Sequence, residues 1–178
     1  MKIGILGTGM MAGLLMPVIK KLNFEYVAVL GRRESEEKVR TLCRENGLDE
    51  YFLDYEELLG SDVDTIYVAR PNDLHWEFAR KALTHGKHVI IEKPVTASLA
   101  QLQDLIGTAG KQGKMIFEAM TIHYLPAYRS LKEHLHRIGD IKLMTVNYSK
   151  YSSRYDAFRA GQILPAFDPK RAGGAMMD

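Results

Sequence analysis

Residues 2–12 read Lys2-Ile3-Gly4-Ile5-Leu6-Gly7-Thr8-Gly9-Met10-Met11-Ala12. An apolar run of strand length passes through two glycines into a helical pattern, so Gly7 to Ala12 is a G-x-G-x-x-A loop. In such a loop the first glycine permits a tight turn and the second lets a pyrophosphate approach the backbone. The small third residue allows close helix–strand contact, and the anion meets free N–H groups at the helix N-terminus. The motif is weak alone. Here a strand precedes it, a helix follows, and a second strand closes about 20 residues later, a context that reads as a dinucleotide loop formed by Gly7, Thr8, Gly9, Met10 and Met11. Pro17 falls inside the helical stretch, and Gly13 four residues earlier reduces the ring–carbonyl clash.

Outward from this loop, short apolar runs alternate with amphipathic ones over the first 120 residues. Lys2 to Leu6, Tyr26 to Leu30, Thr65 to Ala69, His88 to Glu92 and Met115 to Ala119 are strand candidates. Residues 10–22 place Met11, Leu15, Ile19 and Leu22 on one helical face. Residues 72–85 group Leu74, Phe78, Ala79, Ala82 and Leu83, with Asn72 as N-cap and Gly86 as stop. Residues 98–112 carry Leu99, Leu102, Leu105, Ile106 and Ala109, capped by Ser98 and followed by Gly113. This alternation predicts a doubly wound α/β domain over 1–120, with a parallel sheet wrapped by crossover helices.

After residue 120 the rhythm changes. Pro126 to Ile138 predicts an amphipathic helix, Ile141 to Tyr151 alternates like a strand, and Ser152 to Asp178 reads as loop. One helix and one strand cannot bury themselves, so residues 121–178 are expected to begin a second, α+β domain that the chain leaves incomplete.

The end of the second strand indicates which dinucleotide is held. An acid there would bind the ribose 2'-hydroxyl, but the sequence is Leu30-Gly31-Arg32-Arg33-Glu34-Ser35. A 2'-phosphate could pair with Arg32 or Arg33 and accept from Ser35. NADP(H) is therefore favoured, while NAD(H) stays open because acid-free NAD sites occur; the competing reading makes both arginines solvated charges at a helix start.

Two further strand ends are polar: Ala69-Arg70-Pro71-Asn72-Asp73-Leu74-His75 and Glu92-Lys93-Pro94. Ligands bind at the carboxyl ends of strands in a doubly wound sheet. A lysine there can hold a substrate oxygen and exchange its proton as hydride moves. A cis Lys93–Pro94 bond would be one way to aim that side chain inward.

At these residues the sequence resembles the glucose-fructose oxidoreductase / inositol dehydrogenase / rhizopine-catabolism (Gfo/Idh/MocA) family. The resemblance rests on Gly7 to Ala12, residues 69–75, Gly86-Lys87-His88-Val89, Glu92-Lys93-Pro94, Glu118-Ala119-Met120 and residues 173–178. It implies a Rossmann domain followed by a domain with a large open sheet, and NAD(P)-dependent oxidation or reduction of sugars, cyclitols and related compounds. By that resemblance Lys93 is the catalytic lysine and Asp178 the acid of a second catalytic motif. Ala69, Arg70, Pro71, Asn72, His75 and Glu92 fall on the cofactor side. Arg70 stands where the family commonly has Thr or Ser. The family's proton-transferring His or Tyr would follow Asp178, so the chain is expected to be part of a longer polypeptide whose completed sheet makes homo-oligomers. Leu125-Pro126-Ala127-Tyr128 points to the branch of dihydrodiol dehydrogenases and sugar-lactone or anhydrosugar reductases.

Composition removes other classes. The 178 residues are 46% hydrophobic, with 24 basic and 22 acidic side chains and one cysteine. Such a chain can hold a core of its own, which sets aside disorder and disulfide scaffolds. A net charge of +2 gives no reason to expect nucleic acid. The uncharged run Ile3 to Ile19 contains glycines and a proline and is shorter than a bilayer span of about 20 residues. It reads as folded core, which makes the cytoplasm the default location and a small molecule the expected partner. Metal is not expected, because no histidine has a partner at ligand spacing. Glu34 to Lys38 reads as a solvated helix face. His123 and Tyr124, after the last strand, are weak substrate candidates, with surface or interdomain packing the equal alternative. A dinucleotide-binding sensor without turnover is the rival to an enzyme, and Lys93 argues for the enzyme.

Overall fold

The computed structural model describes residues 1–149, 151–174 and 177. Six parallel strands, β1 (Lys2–Leu6), β2 (Tyr26–Leu30), β3 (Glu50–Phe52), β4 (Thr65–Val68), β5 (His88–Glu92) and β6 (Ile116–Ala119), form one sheet in the order β3-β2-β1-β4-β5-β6. The helices are α1 (Met10–Ile19), α2 (Glu36–Asn46), α3 (Tyr55–Gly60), α4 (His75–Thr84), α5 (Leu99–Gln112), α6 (Pro126–His134) and α7 (Tyr155–Arg159). This is the Rossmann-like α/β arrangement expected. The three-residue β3 and the short α3 carry too little periodicity to stand out in the sequence.

Successive strand residues face opposite sides of the sheet, so the central strands divide their apolar side chains between two cores. Leu6, Ala28, Leu30, Ile66, Val68, Val89 and Ile91 pack with residues of α3, α4 and α5. Ile3, Ile5, Val27, Val29 and Tyr67 pack on the other side with residues of α1 and α2. The expected stripe on α1 is corrected by one position: Ala12, Met16 and Ile19 are buried, while Leu22 lies beyond the helix and is exposed. On α5 only Leu105 and Ala109 are buried, and Leu99 and Ile106 face outward. Ser98 caps α5 by accepting from the Gln101 N–H, and Gly113 ends it at φ 61°. α1 continues past Pro17, and Gly13 has open space around the position of a Cβ.

The expected helix from residue 72 begins instead with a 3-10 turn, Asn72–Leu74, and Asn72 does not cap it. Its side-chain amide donates to the Ala172 carbonyl at 2.8 Å, a tertiary bond that competes with local capping. The expected strand at 141–151 is not formed over the described residues 141–149. Leu143 and Tyr148 are 86% and 89% exposed, because an alternating segment pairs only where another strand supplies its hydrogen bonds. α6 passes into a 3-10 turn at Leu135–Ile138 and buries none of its residues. The expected loop from 152 contains α7 and two 3-10 turns, Pro165–Phe167 and Pro169–Arg171. It docks on the turn after β4 through Arg171, whose Nε and Nη2 donate to the Asp73 carboxylate at 3.0 and 3.3 Å. Among the described residues no helix is long and apolar enough to cross a membrane.

Candidate active site

The strand order reverses direction at β1 and β4, and the crevice outside their carboxyl ends is where an open α/β sheet binds ligands. Two adjoining cavities occupy this crevice. One, of about 450 Å³, lies between Gly9, Met10 and Met11 at the start of α1, Ala69 to Asn72 and His75 after β4, and Glu92 with Lys93 at the end of β5. Arg154, Leu164, Pro165 and Ala166 from the C-terminal segment close it. The other, of about 350 Å³, is walled by Gly7, Thr8, Gly9, Gly31, Arg32, Ser35, Lys38 and residues 69–71.

The glycine loop has the geometry its reading requires. Gly7 adopts φ 116°, and a Cβ there would stand 2.9 Å from the Ala69 carbonyl oxygen. Only glycine accommodates both that conformation and that approach. Nothing lies within 4 Å of a Cβ position on Gly9, which lines both cavities. The backbone is therefore open to a ligand at the N-terminus of α1, where the first N–H groups lack intrahelical acceptors. A pyrophosphate fits this cradle. On the second cavity's far wall stand Arg32 and Ser35, as expected, but Arg33 lines neither cavity. Lys38 is exposed, as expected of a solvated face, and also lines the second cavity. Its spacing of three residues from Ser35 puts both on one helical face, and that was the available signal.

Lys93 and Glu92 enter the first cavity from the end of β5, and the Lys93–Pro94 bond is cis, the arrangement considered from sequence. Glu92 is buried and accepts from the Tyr67 hydroxyl at 2.5 Å. Burial, followed by this carboxylate, pushes the Tyr67 phenol up. Tyr67 was hidden from sequence reading inside an apolar strand.

His75 is fully buried. Its Nδ1 lies 2.7 Å from the Pro94 carbonyl oxygen and its Nε2 lies 2.8 Å from that of Arg70. The ring thus ties the loop after β4 to the loop that carries Lys93. A neutral imidazole has one N–H and donates to one of these carbonyls, whereas the imidazolium donates to both.

Arg70 lines both cavities. Its guanidinium carbon sits 4.8 Å from the Phe78 ring centroid, and its Nε is buried without a hydrogen-bond partner among the described residues. Burial, followed by the charge on Arg32, lowers its pKa.

His123 and Tyr124 line neither cavity. They lie in a 3-10 turn, Thr121–Tyr124, beyond the edge strand β6. There His123 packs edge-on against Tyr128 with ring centroids 5.4 Å apart, and Arg129 covers Tyr124. Of the two alternatives for these residues, the described contacts are those of local packing beyond β6. Asp178 lies outside the described residues.

A parallel sheet with a glycine loop at its switch point defines a dinucleotide-binding α/β protein. The family model for the Gfo/Idh/MocA oxidoreductases, described as an oxidoreductase family with an NAD-binding Rossmann fold, matches residues 1–120, and the chain belongs to that family. It is 40% identical over 157 residues to scyllo-inositol 2-dehydrogenase (NADP(+)) of Bacillus subtilis, covering 88% of this chain and 47% of the relative. It is 30% identical over 182 residues to D-xylose 1-dehydrogenase (NADP(+)) 2 of Haloferax volcanii, covering 100% and 53%. Among solved structures, a 3-ketoreductase from Actinomadura kijaniata in complex with NADP and TDP-benzene superposes with a TM-score of 0.71 at 28% identity, covering 77% of this chain and 42% of the other. The chain spans about half the length of the curated relatives it matches.

Proposed function

We propose that this protein is an NADP(H)-dependent oxidoreductase acting on a hydroxyl or carbonyl carbon of a sugar or cyclitol. The observation that carries the reading is the meeting, in one cavity, of the glycine loop at the end of β1 and Lys93 at the end of β5. The bound nicotinamide would supply or accept the hydride at its C4. Gly7 makes the turn, its N–H donating to the Leu30 carbonyl at 3.0 Å, and Thr8 to Met11 take the pyrophosphate against backbone N–H groups. Arg32 and Ser35 take the 2'-phosphate, with no carboxylate among the described residues lining that cavity to repel it. The relatives' names, both specifying NADP(+), support this preference.

Lys93 polarises the substrate oxygen with its ammonium group and gives up or takes back a proton as the oxygen's charge changes. Glu92, held by the Tyr67 hydroxyl, sets the strand end from which Lys93 projects. Asp178 assists Lys93 in the proton relay. Residues 1–120 act as the nucleotide domain, and residues 121–178 begin the domain that shapes the substrate pocket and, once its sheet is complete, joins copies of the protein. Arg154 and the 164–166 segment form the part of the substrate wall present in this chain.

The test follows transfer of deuterium from C4-labelled NADPH to a panel of ketoses, aldoses and inosose compounds, with NADPH affinity measured by nicotinamide fluorescence. The wild type should bind NADPH and label at least one carbonyl substrate. Lys93→Met should lower turnover by about a hundredfold or more while changing NADPH affinity less than about threefold. Full activity in that variant overturns the role of Lys93. NADPH binding with no labelled product across the panel favours a sensor.

A further inference from the structure

The second cavity brings three cationic side chains together from two strand ends. Arg32 follows β2, Lys38 lies on α2 and Arg70 follows β4, and no acidic residue is among the described residues lining the cavity. Resting on the dinucleotide reading above, we propose that Arg70 and Lys38 complete a phosphomonoester pocket with Arg32 and the Ser35 hydroxyl. The preference for a 2'-phosphorylated dinucleotide is then set from β4 as well as from β2.

Arg70 is built for a fixed anion. Its backbone is held where the His75 ring meets its carbonyl at 2.8 Å. Its guanidinium lies against Phe78, which itself packs at a tilt of 39° on Tyr55 with centroids 5.0 Å apart. The Tyr55 hydroxyl donates to the Phe78 carbonyl at 2.8 Å, so the platform under the guanidinium is anchored. A guanidinium held this way loses little freedom when it binds. Its buried Nε–H lacks an acceptor among the described residues, and a buried donor left unmet is costly.

The charges point the same way. Arg32 is the neighbouring cation whose charge acts on Arg70. Their repulsion is relieved by an anion shared between them. The pyrophosphate has its own donors in the Thr8–Gly9 backbone and the start of α1, the Gly7 N–H being spent on the Leu30 carbonyl at 3.0 Å. Ser35, at the N-cap of α2, and Lys38, three residues on, line the cavity together with Arg32. A dianionic monoester on the ribose is the group that meets Arg32, Lys38 and Arg70 together.

Calorimetric titration of the chain with 2',5'-ADP and with 5'-AMP isolates this pocket, because the two ligands differ only by the 2'-phosphate and neither carries nicotinamide or reacts. The wild type should prefer 2',5'-ADP. Arg70→Thr should weaken 2',5'-ADP binding about tenfold or more, the scale of a lost charged hydrogen bond, with 5'-AMP changed less than about threefold. Exposed Lys38→Ala should weaken 2',5'-ADP selectively by a smaller factor, about threefold, and checks the proposal without risk to folding. Equal weakening of both ligands by Arg70→Thr overturns the proposal in favour of 5'-phosphate or adenine contact, as does unchanged 2',5'-ADP affinity in both variants. A wild type that binds 5'-AMP and 2',5'-ADP equally overturns the NADP(H) reading together with the proposal. Binding of neither overturns the dinucleotide reading itself.

Discussion

Replacing His75 should uncouple the two loops that carry Arg70 and Lys93. The ring is fully buried and meets the carbonyls of Pro94 and Arg70 at 2.7 and 2.8 Å. His75→Phe keeps most of the packed volume but removes both nitrogens, so at least one of the two carbonyls loses its donor. An unmet buried partner costs about 1–3 kcal/mol, and this variant should lose about that much unfolding free energy. His75→Ala removes the same contacts and opens a cavity as well, and should lose about 4 kcal/mol or more. Urea denaturation followed by circular dichroism measures both, with the midpoint falling and the m-value unchanged. The adjacent Trp76, whose indole N–H donates to Asp104 at 2.8 Å, provides a fluorescence probe of the same region. A loss below about 1 kcal/mol in both variants would refute the clamp.

Two further substitutions probe close approaches around the cleft. Gly31→Ala would place a Cβ 1.9 Å from Cγ2 of the buried Val39; it should destabilise by about 3 kcal/mol, and adding Val39→Ala should recover part of that loss in thermal unfolding. Asp73→Asn weakens the ion pair that holds Arg171. Because that pair is partly exposed, global stability should change by less than about 1 kcal/mol, while amide exchange over residues 160–174 should quicken; unchanged exchange would show that the pair does not hold the segment.

How much of the site was legible depends on whether local chemistry or packing decided each residue. Gly7 and Gly9 were readable because a strand, a tight turn and a helix N-terminus succeed one another within eleven residues. Lys93 was readable because a charged residue at the end of an apolar strand has few structural uses. Lys38 was not, since its three-residue spacing from Ser35 also describes an ordinary solvated helix. Arg33 and Arg32 are neighbours in a chain whose direction turns at that point, and periodicity cannot say which one faces the cleft. His123 and Tyr124 follow a strand end as Lys93 does, but their strand is at the sheet's edge, a fact set by strand order.

The sequence by itself determined the doubly wound class, the glycine loop, the absence of an acid at the end of β2 and the polar ends of β4 and β5. These follow from side-chain periodicity and from the restricted conformations of glycine and proline, which act over a few residues. Tertiary structure decided that Arg70 stands between the two cavities on a Phe78 platform, that His75 joins two loops 19 residues apart, and that Asn72 reaches Ala172 across 100 residues. It also decided that residues 141–149 stay unpaired, because a strand is completed by its neighbour's hydrogen bonds and not by its own alternation. The physical distinction is range: conformational preference is local, whereas burial and hydrogen-bond completion depend on partners that the fold brings from elsewhere in the chain.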